Sequence, residues 1–159
     1  MKIRKVNPEE RNKVYGLFRK GFPGSNFQLN SLRKLHNKNR KLHEWVCIHT
    51  NKNIAYIAFS NAYNNGEPCG LHLLYLLVKP EFQGQGVGTE LLRFALRQQE
   101  LQDVAVYVLG DKNFFERFGF GLCQNPQSTF SGKKRSFLSL GISPTSSFAV
   151  SYEPEYKLG

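Results

Sequence analysis

Three glycines at alternate positions, Gly84, Gly86 and Gly88, separate the apolar run Leu73–Val78 from a stretch of helical periodicity that starts at Val87. A backbone without side chains admits a ligand closely, and the N–H groups that converge at a helix N-terminus carry positive potential. Such an arrangement suits a phosphate. A P-loop would require Gly-Lys followed by Ser or Thr, and Val87-Gly88-Thr89 does not supply it. A dinucleotide fingerprint counted from Gly84 would require glycine where Thr89 stands, and it belongs to a first strand, whereas this strand comes about fourth. The pattern that fits is Gln-x-x-Gly-x-Gly, Gln83-Gly84-Gln85-Gly86-Val87-Gly88, opening a helix behind a strand that ends Leu-Leu-Val-Lys-Pro.

The elements around this loop must position it. Met1–Val6 reads as a short strand. Asn7 then offers an N-cap, Pro8 suits a first helical position, and Glu9 and Glu10 favour the positive end of the dipole. A first helix is expected to about Lys20, burying Val14, Leu17 and Phe18, and the Gly/Pro-rich stretch from Gly21 breaks it. A second helix is expected within Gln28–Asn37, with Leu29, Leu32 and Leu35 on one face. Glu44–Thr50 and Ile54–Tyr63 read as strands joined by a turn at Asn51-Lys52-Asn53, and Asn64–Gly70 reads as a loop. Leu71–Val78 is a strand whose continuous apolar run predicts burial on both faces. A helix from Val87 to about Gln99, a strand over Val104–Leu109 and a short helix over Asn113–Arg117 follow. The tail holds two strand candidates, Arg135–Ile142 and Ser147–Glu153. With no repeat, low-complexity segment or linker, residues 1–159 are expected to form one domain.

Composition narrows the class. The chain is 40% hydrophobic and 21% charged, as in globular proteins rather than disordered ones. Its longest apolar run, Leu73–Val78, is far too short to span a bilayer, and no apolar segment follows the basic start. Cys47, Cys69 and Cys123 are odd in number and lack paired metal-ligand spacing, so reduced thiols, a cytoplasmic setting and no metal are expected. Residues 1–43 hold twelve of the 22 Lys and Arg but only two of the 12 acidic residues, which accounts for the whole net charge of +10. Such a one-sided field attracts anions, although it is also the mark of a solvated basic surface.

The Gln83–Gly88 loop resembles that of the GNAT superfamily of N-acetyltransferases. The resemblance extends to Val108–Phe120, "VLGDKNFFERFGF", which looks like that family's later strand, short helix and closing Phe-Gly-Phe. It is nearest to a bacterial branch that writes Gly-Asp, two tyrosines and Arg-Phe-Gly-Phe there, and the tail "FAVSYEPEYKLG" is similar to that branch's ending. The resemblance implies an α/β (α+β) fold: a mixed, mostly antiparallel central sheet flanked by helices, with two parallel strands splayed into an acetyl-CoA cleft. The pantetheine arm of acetyl-CoA is expected against Leu77 and Val78, and its pyrophosphate on the amides of Gln83, Gly84, Gln85, Gly86, Val87, Gly88 and Thr89. Asn113 matches a region that touches the cofactor, and also suits a helix cap; Phe115 is expected to pack against the cofactor.

The implied reaction is direct attack of an amine on the thioester in a ternary complex, with a backbone N–H near Val78 stabilising the oxyanion. The family's acidic base, on the fourth strand, aligns here with His72, six residues before Val78; Glu67 is the reserve candidate. Where the family places a tyrosine acid this chain has Phe115, and its branch's second tyrosine is Phe114, neither of which donates a proton. Tyr107, Cys123, Tyr152 and Tyr156 are alternative acids. The expected partners are acetyl-CoA and an amine acceptor, carried on an anionic molecule, with no membrane; a nucleic acid and a homodimer remain open. The alternative is a weakly catalytic domain of this fold that acts as an acyl-CoA-binding module or as a basic module binding a partner or nucleic acid.

Overall fold

The computed structural model describes residues 1–123, 126–128, 136–141 and 147–157. Strand β1 (Lys2–Lys5) leads into a 3-10 turn at Pro8–Glu10, where the Asn7 N–H donates to Glu10 Oε1 at 2.8 Å. Helix α1 (Arg11–Gly21) begins only after that turn, and α2 (Phe27–Asn37) follows. Val14, Leu17 and Phe18 of α1 and Leu29, Leu32 and Leu35 of α2 are buried, as their helical spacing predicts.

Strands β2 (Leu42–His49), β3 (Lys52–Asn64) and β4 (Glu67–Val78) form an antiparallel meander. Both hairpin turns differ from the sequence reading. The first lies at Thr50-Asn51, at φ 51° and 59°, so Lys52 and Asn53 already belong to β3. The expected loop Asn64–Gly70 is a second hairpin around Asn65-Gly66, at φ 50° and 81°. Asn-Gly is the strongest two-residue hairpin signal there is, because both residues tolerate positive φ, and it lengthens β4 by four residues.

Helix α3 (Val87–Leu96) crosses to β5 (Val106–Gly110), followed by α4 (Lys112–Glu116), β6 (Gly121–Leu122), β7 (Gln127–Ser128), β8 (Ser136–Leu140) and β9 (Ala149–Val150). Of the two tail strands, the first is β8, with Arg135 and Ile142 outside the described residues. The second shrinks to β9, which pairs with β7 over two residues, plus a bridge from Ser151 to Tyr63. The described strands form a main sheet of order β1-β2-β3-β4-β5-β8-β6. Its single parallel junction is β4 with β5; every other pairing is antiparallel.

Each face of the sheet carries its own core. One packs α1, α2 and the tail residues Tyr152 and Tyr156 on Tyr56, Leu74, Tyr75 and Leu77. The other packs α3 and Phe115 on Ile57, Leu71, Leu73 and Val108. A register shift between Ala58 and Phe59 leaves Leu74 without a partner on β3, a β-bulge that turns the consecutive residues Leu74 and Tyr75 toward the same face. Beyond the bulge the alternation resumes, with Leu77 toward α1 and Leu76 and Val78 toward α3.

Candidate active site

Strands β4 and β5 pair only at Leu71–Val106 and His72–Tyr107. Past these rungs β4 runs on to Val78 and β5 to Gly110 without pairing, and the strands part. A cleft of about 480 Å³ lies toward the C-terminal end of β4. Leu76 and Val78 form its strand side, and Gly84, Gly86 and Gly88 its loop side, with Phe114 and Arg117 opposite.

The loop has the conformation that its glycines permit. Gly84 and Gly86 stand at φ 76° and 81°, a region costly for any residue with a Cβ. Gly86 is the N-cap of α3, and no side chain caps that helix, which leaves first-turn amides for a ligand. Gly88 has ordinary helical backbone, and a Cβ there would meet only Val78 Cγ2 at 3.5 Å, so folding alone does not demand glycine. Arg117 adds positive charge across the cleft; its guanidinium lies 5.0 Å from the centre of the Phe114 ring. Among the described residues no acidic side chain lines the cleft.

The strand end is also prepared. Lys79 N–H donates to Ile54 O at 2.8 Å, so in the antiparallel alternation Val78 points its N–H and C=O away from β3, toward the splay. Gln83 Nε2 donates to that carbonyl at 3.0 Å. The Val78 N–H has no strand to pair with.

Several expected residues fall elsewhere. Leu77 does not line the cleft: its side chain is buried under α1 against Gly21. The side chain of Gln85, whose backbone amide is the expected contact, bends back and donates Nε2 to Glu81 O at 3.1 Å. Asp111, not Asn113, caps α4: the Asn113 N–H donates to Asp111 Oδ1 at 3.0 Å, and the Asn113 side chain is no part of the cleft wall. Phe115 is buried in the α3-side core, edge-on to Phe120 and against Gly110; its neighbour Phe114 takes the cleft wall instead. The sequence reading passed over Leu76, Phe82 and Arg117, which also line the cleft. Arg117 was visible as the Arg of the Arg-Phe-Gly-Phe motif.

The base expected at His72 does not survive the geometry. Six strand residues place it roughly 20 Å from Val78. Its ring is 1% exposed, lies 3.7 Å from the Tyr152 ring centre and has no hydrogen-bond partner among the described residues. Burial pushes its pKa down to about 3, leaving a neutral imidazole too weak to deprotonate an ammonium group. Glu67 is exposed at the opposite end of β4, roughly 35 Å away along the strand. Of the alternative acids, Tyr107 and Tyr152 are each pushed up to about 12 by burial, and neither lines the cleft.

Among the described residues no three His, Cys, Asp or Glu side chains gather as metal ligands, and no helix is long and apolar enough to cross a membrane. Cys47, Cys69 and Cys123 are free thiols.

Residues 40–121 match the family described as Acetyltransferase (GNAT) domain. The chain belongs to the GNAT acetyltransferase family. It is 37% identical over 76 residues to the uncharacterized N-acetyltransferase YjhQ of Escherichia coli strain K12, a match covering 45% of this chain and 42% of that relative. In three dimensions it resembles the GNAT family N-acetyltransferase YhbS of Escherichia coli, solved in complex with CoA: TM-score 0.88, 23% identity, covering 99% of this chain and 93% of that one. A GNAT family acetyltransferase of Brucella melitensis, solved with acetyl-CoA, gives TM-score 0.80 at 23% identity, covering 98% and 97%.

Proposed function

We propose that this protein transfers the acetyl group of acetyl-CoA to an amine by direct attack in a ternary complex. The observation that supports this most is the cleft between β4 and β5. It sets the uncapped start of α3 beside a Val78 N–H that faces the splay. In this reading the amides from Gly84 to Thr89 and the Arg117 guanidinium hold the pyrophosphate, and the Val78 N–H holds the developing oxyanion. The amine nitrogen bonds to the carbonyl carbon, the C–S bond breaks, and CoA leaves as thiolate. A thiol of pKa about 8.5 leaves tolerably without an acid, and the proton lost by the amine passes to water.

Among the described residues the cleft wall carries no carboxylate, histidine, cysteine or tyrosine, which favours an acceptor that arrives already neutral. At pH 7 about four in ten thousand lysine side chains are neutral, against about a tenth of α-amines. The preferred acceptor is therefore an amine of low pKa on a small or anionic molecule. The test compares rates against pH for an amino acid amide and for a lysine peptide with a blocked N-terminus. Faster turnover of the lysine peptide at pH 7 would defeat this preference. The same bare wall favours a second reading, a weakly active domain that binds acyl-CoA; saturable acetyl-CoA binding without turnover over a broad amine panel would select it.

A further inference from the structure

On the other face of the sheet, at the same end of β4, Lys13 and Lys20 of α1, Lys52 of β3 and Lys79 surround a pocket of about 300 Å³. Among the described residues no acidic side chain lines it. Among the described residues none of the four lysines has an ion-pair partner. Glu10, the carboxylate that feels Lys13, is bound by Arg4. Asn53 also lines the pocket, and its Nδ2 is buried without an acceptor. The lining thus offers four ammonium groups with no local counter-charge among the described residues. Four like charges around one hollow repel each other, and an anion would relieve the repulsion.

Position links this pocket to the cleft. Val78 lines the cleft on the α3 side, and the next residue, Lys79, lines the pocket on the α1 side. We propose that this pocket takes a phosphate or carboxylate group of the acceptor, fixing the acceptor's amine near the end of β4; this rests on the acetyltransferase reading. The same chemistry could come from the 3′-phosphate of the cofactor, and the experiment separates the two sources.

Inorganic phosphate serves as the probe, titrated at constant ionic strength against chloride and followed by thermal stability. The comparison variant combines Lys13→Ala, Lys20→Ala and Lys52→Ala, all exposed positions, so the fold is retained. A saturable phosphate shift in the native protein, with about tenfold weaker phosphate binding in the variant, is expected. A shift no larger than that of chloride, or one unchanged in the variant, overturns the pocket. Acetyl-CoA and its 3′-dephospho form are then titrated against both proteins. Unchanged affinity of the variant for both forms supports the acceptor as the source. A loss confined to the form bearing the 3′-phosphate overturns that assignment. If phosphate binds at the lysines but acetyl-CoA does not bind the native protein, the anion pocket stands and the acetyltransferase reading fails.

Discussion

The Tyr152 ring lies 3.7 Å from the ring of His72, tilted by 31°, so the tail of the chain closes over a histidine at the rung where β4 and β5 last touch. Nothing polar answers the imidazole there among the described residues.

His72 should therefore make stability depend on pH. Its pKa of about 3 in the fold lies below the ordinary 6.5, so between these values the unfolded chain binds more protons. Stability is full above pH 6.5 and falls as pH drops toward 3. His72→Leu should flatten this acid limb by about 2 kcal/mol at pH 5, read from denaturant midpoints. Parallel curves for the two proteins would show a hydrated histidine. The pH–rate profile should be the same in both.

Gly88 should separate ligand demand from fold demand. Gly88→Ala removes backbone entropy from the first turn of α3 and meets no clash, so the free protein should gain about 0.5 kcal/mol. Acetyl-CoA affinity should drop, because the added methyl stands at the proposed pyrophosphate site. Gly86→Ala should instead cost about 1–2 kcal/mol, through its φ of 81°. Retained affinity in Gly88→Ala, by calorimetry, would move the pyrophosphate elsewhere.

Adjacent phenylalanines should behave oppositely. Phe115→Ala opens a hole in the core and should cost about 3–5 kcal/mol. Phe114→Ala, on the cleft wall, should cost less stability and raise the KM for acetyl-CoA. Equal effects in both assays would contradict the assignment of the two rings.

A buried polar chain ties α1, α2, β2 and β3 together. Tyr15 Oη lies 2.6 Å from His36 Nδ1, His36 Nε2 lies 3.0 Å from Glu44 Oε2, and the Tyr56 hydroxyl donates to the same carboxylate oxygen at 2.5 Å. Glu44→Ala strands both neighbours and should cost about 2–4 kcal/mol. A loss under about 1 kcal/mol in chemical denaturation would mean that water replaces the carboxylate.

The glycine loop and the buried strand were legible because they rest on local signals: turn chemistry, periodicity and a strand's length. The faces along the whole of β4 were not. The bulge at Leu74 breaks the two-residue alternation, so counting back from Val78 places Leu76 correctly but misplaces His72 and the rest of the strand before the bulge. Nor could one short helix reveal which of Phe114 and Phe115 turns inward. Gly110 settles that by making room for the Phe115 ring, a contact between elements rather than within one. The second hairpin was missed, being read as the loop Asn64–Gly70, although Asn65-Gly66 was its signal. The lysine pocket was not legible: only Lys13 and Lys20 belong to the charge excess of residues 1–43, and Lys52 and Lys79 join them from other elements.

The narrow seam between β4 and β5 also has a bearing on how the chain folds. Strands β2, β3 and β4 are joined by tight turns and zip together from contacts close in sequence. The first parallel rung joins Leu71 to Val106, and it must wait until α3 has crossed the meander. Two rungs then hold β5, β8 and β6 to the rest of the sheet. The cleft between β4 and β5 should thus be the last part of the sheet to assemble and the first to come apart. Amides of β5 should exchange with solvent sooner than those of β3, and mild denaturant should empty the cleft while the meander still stands.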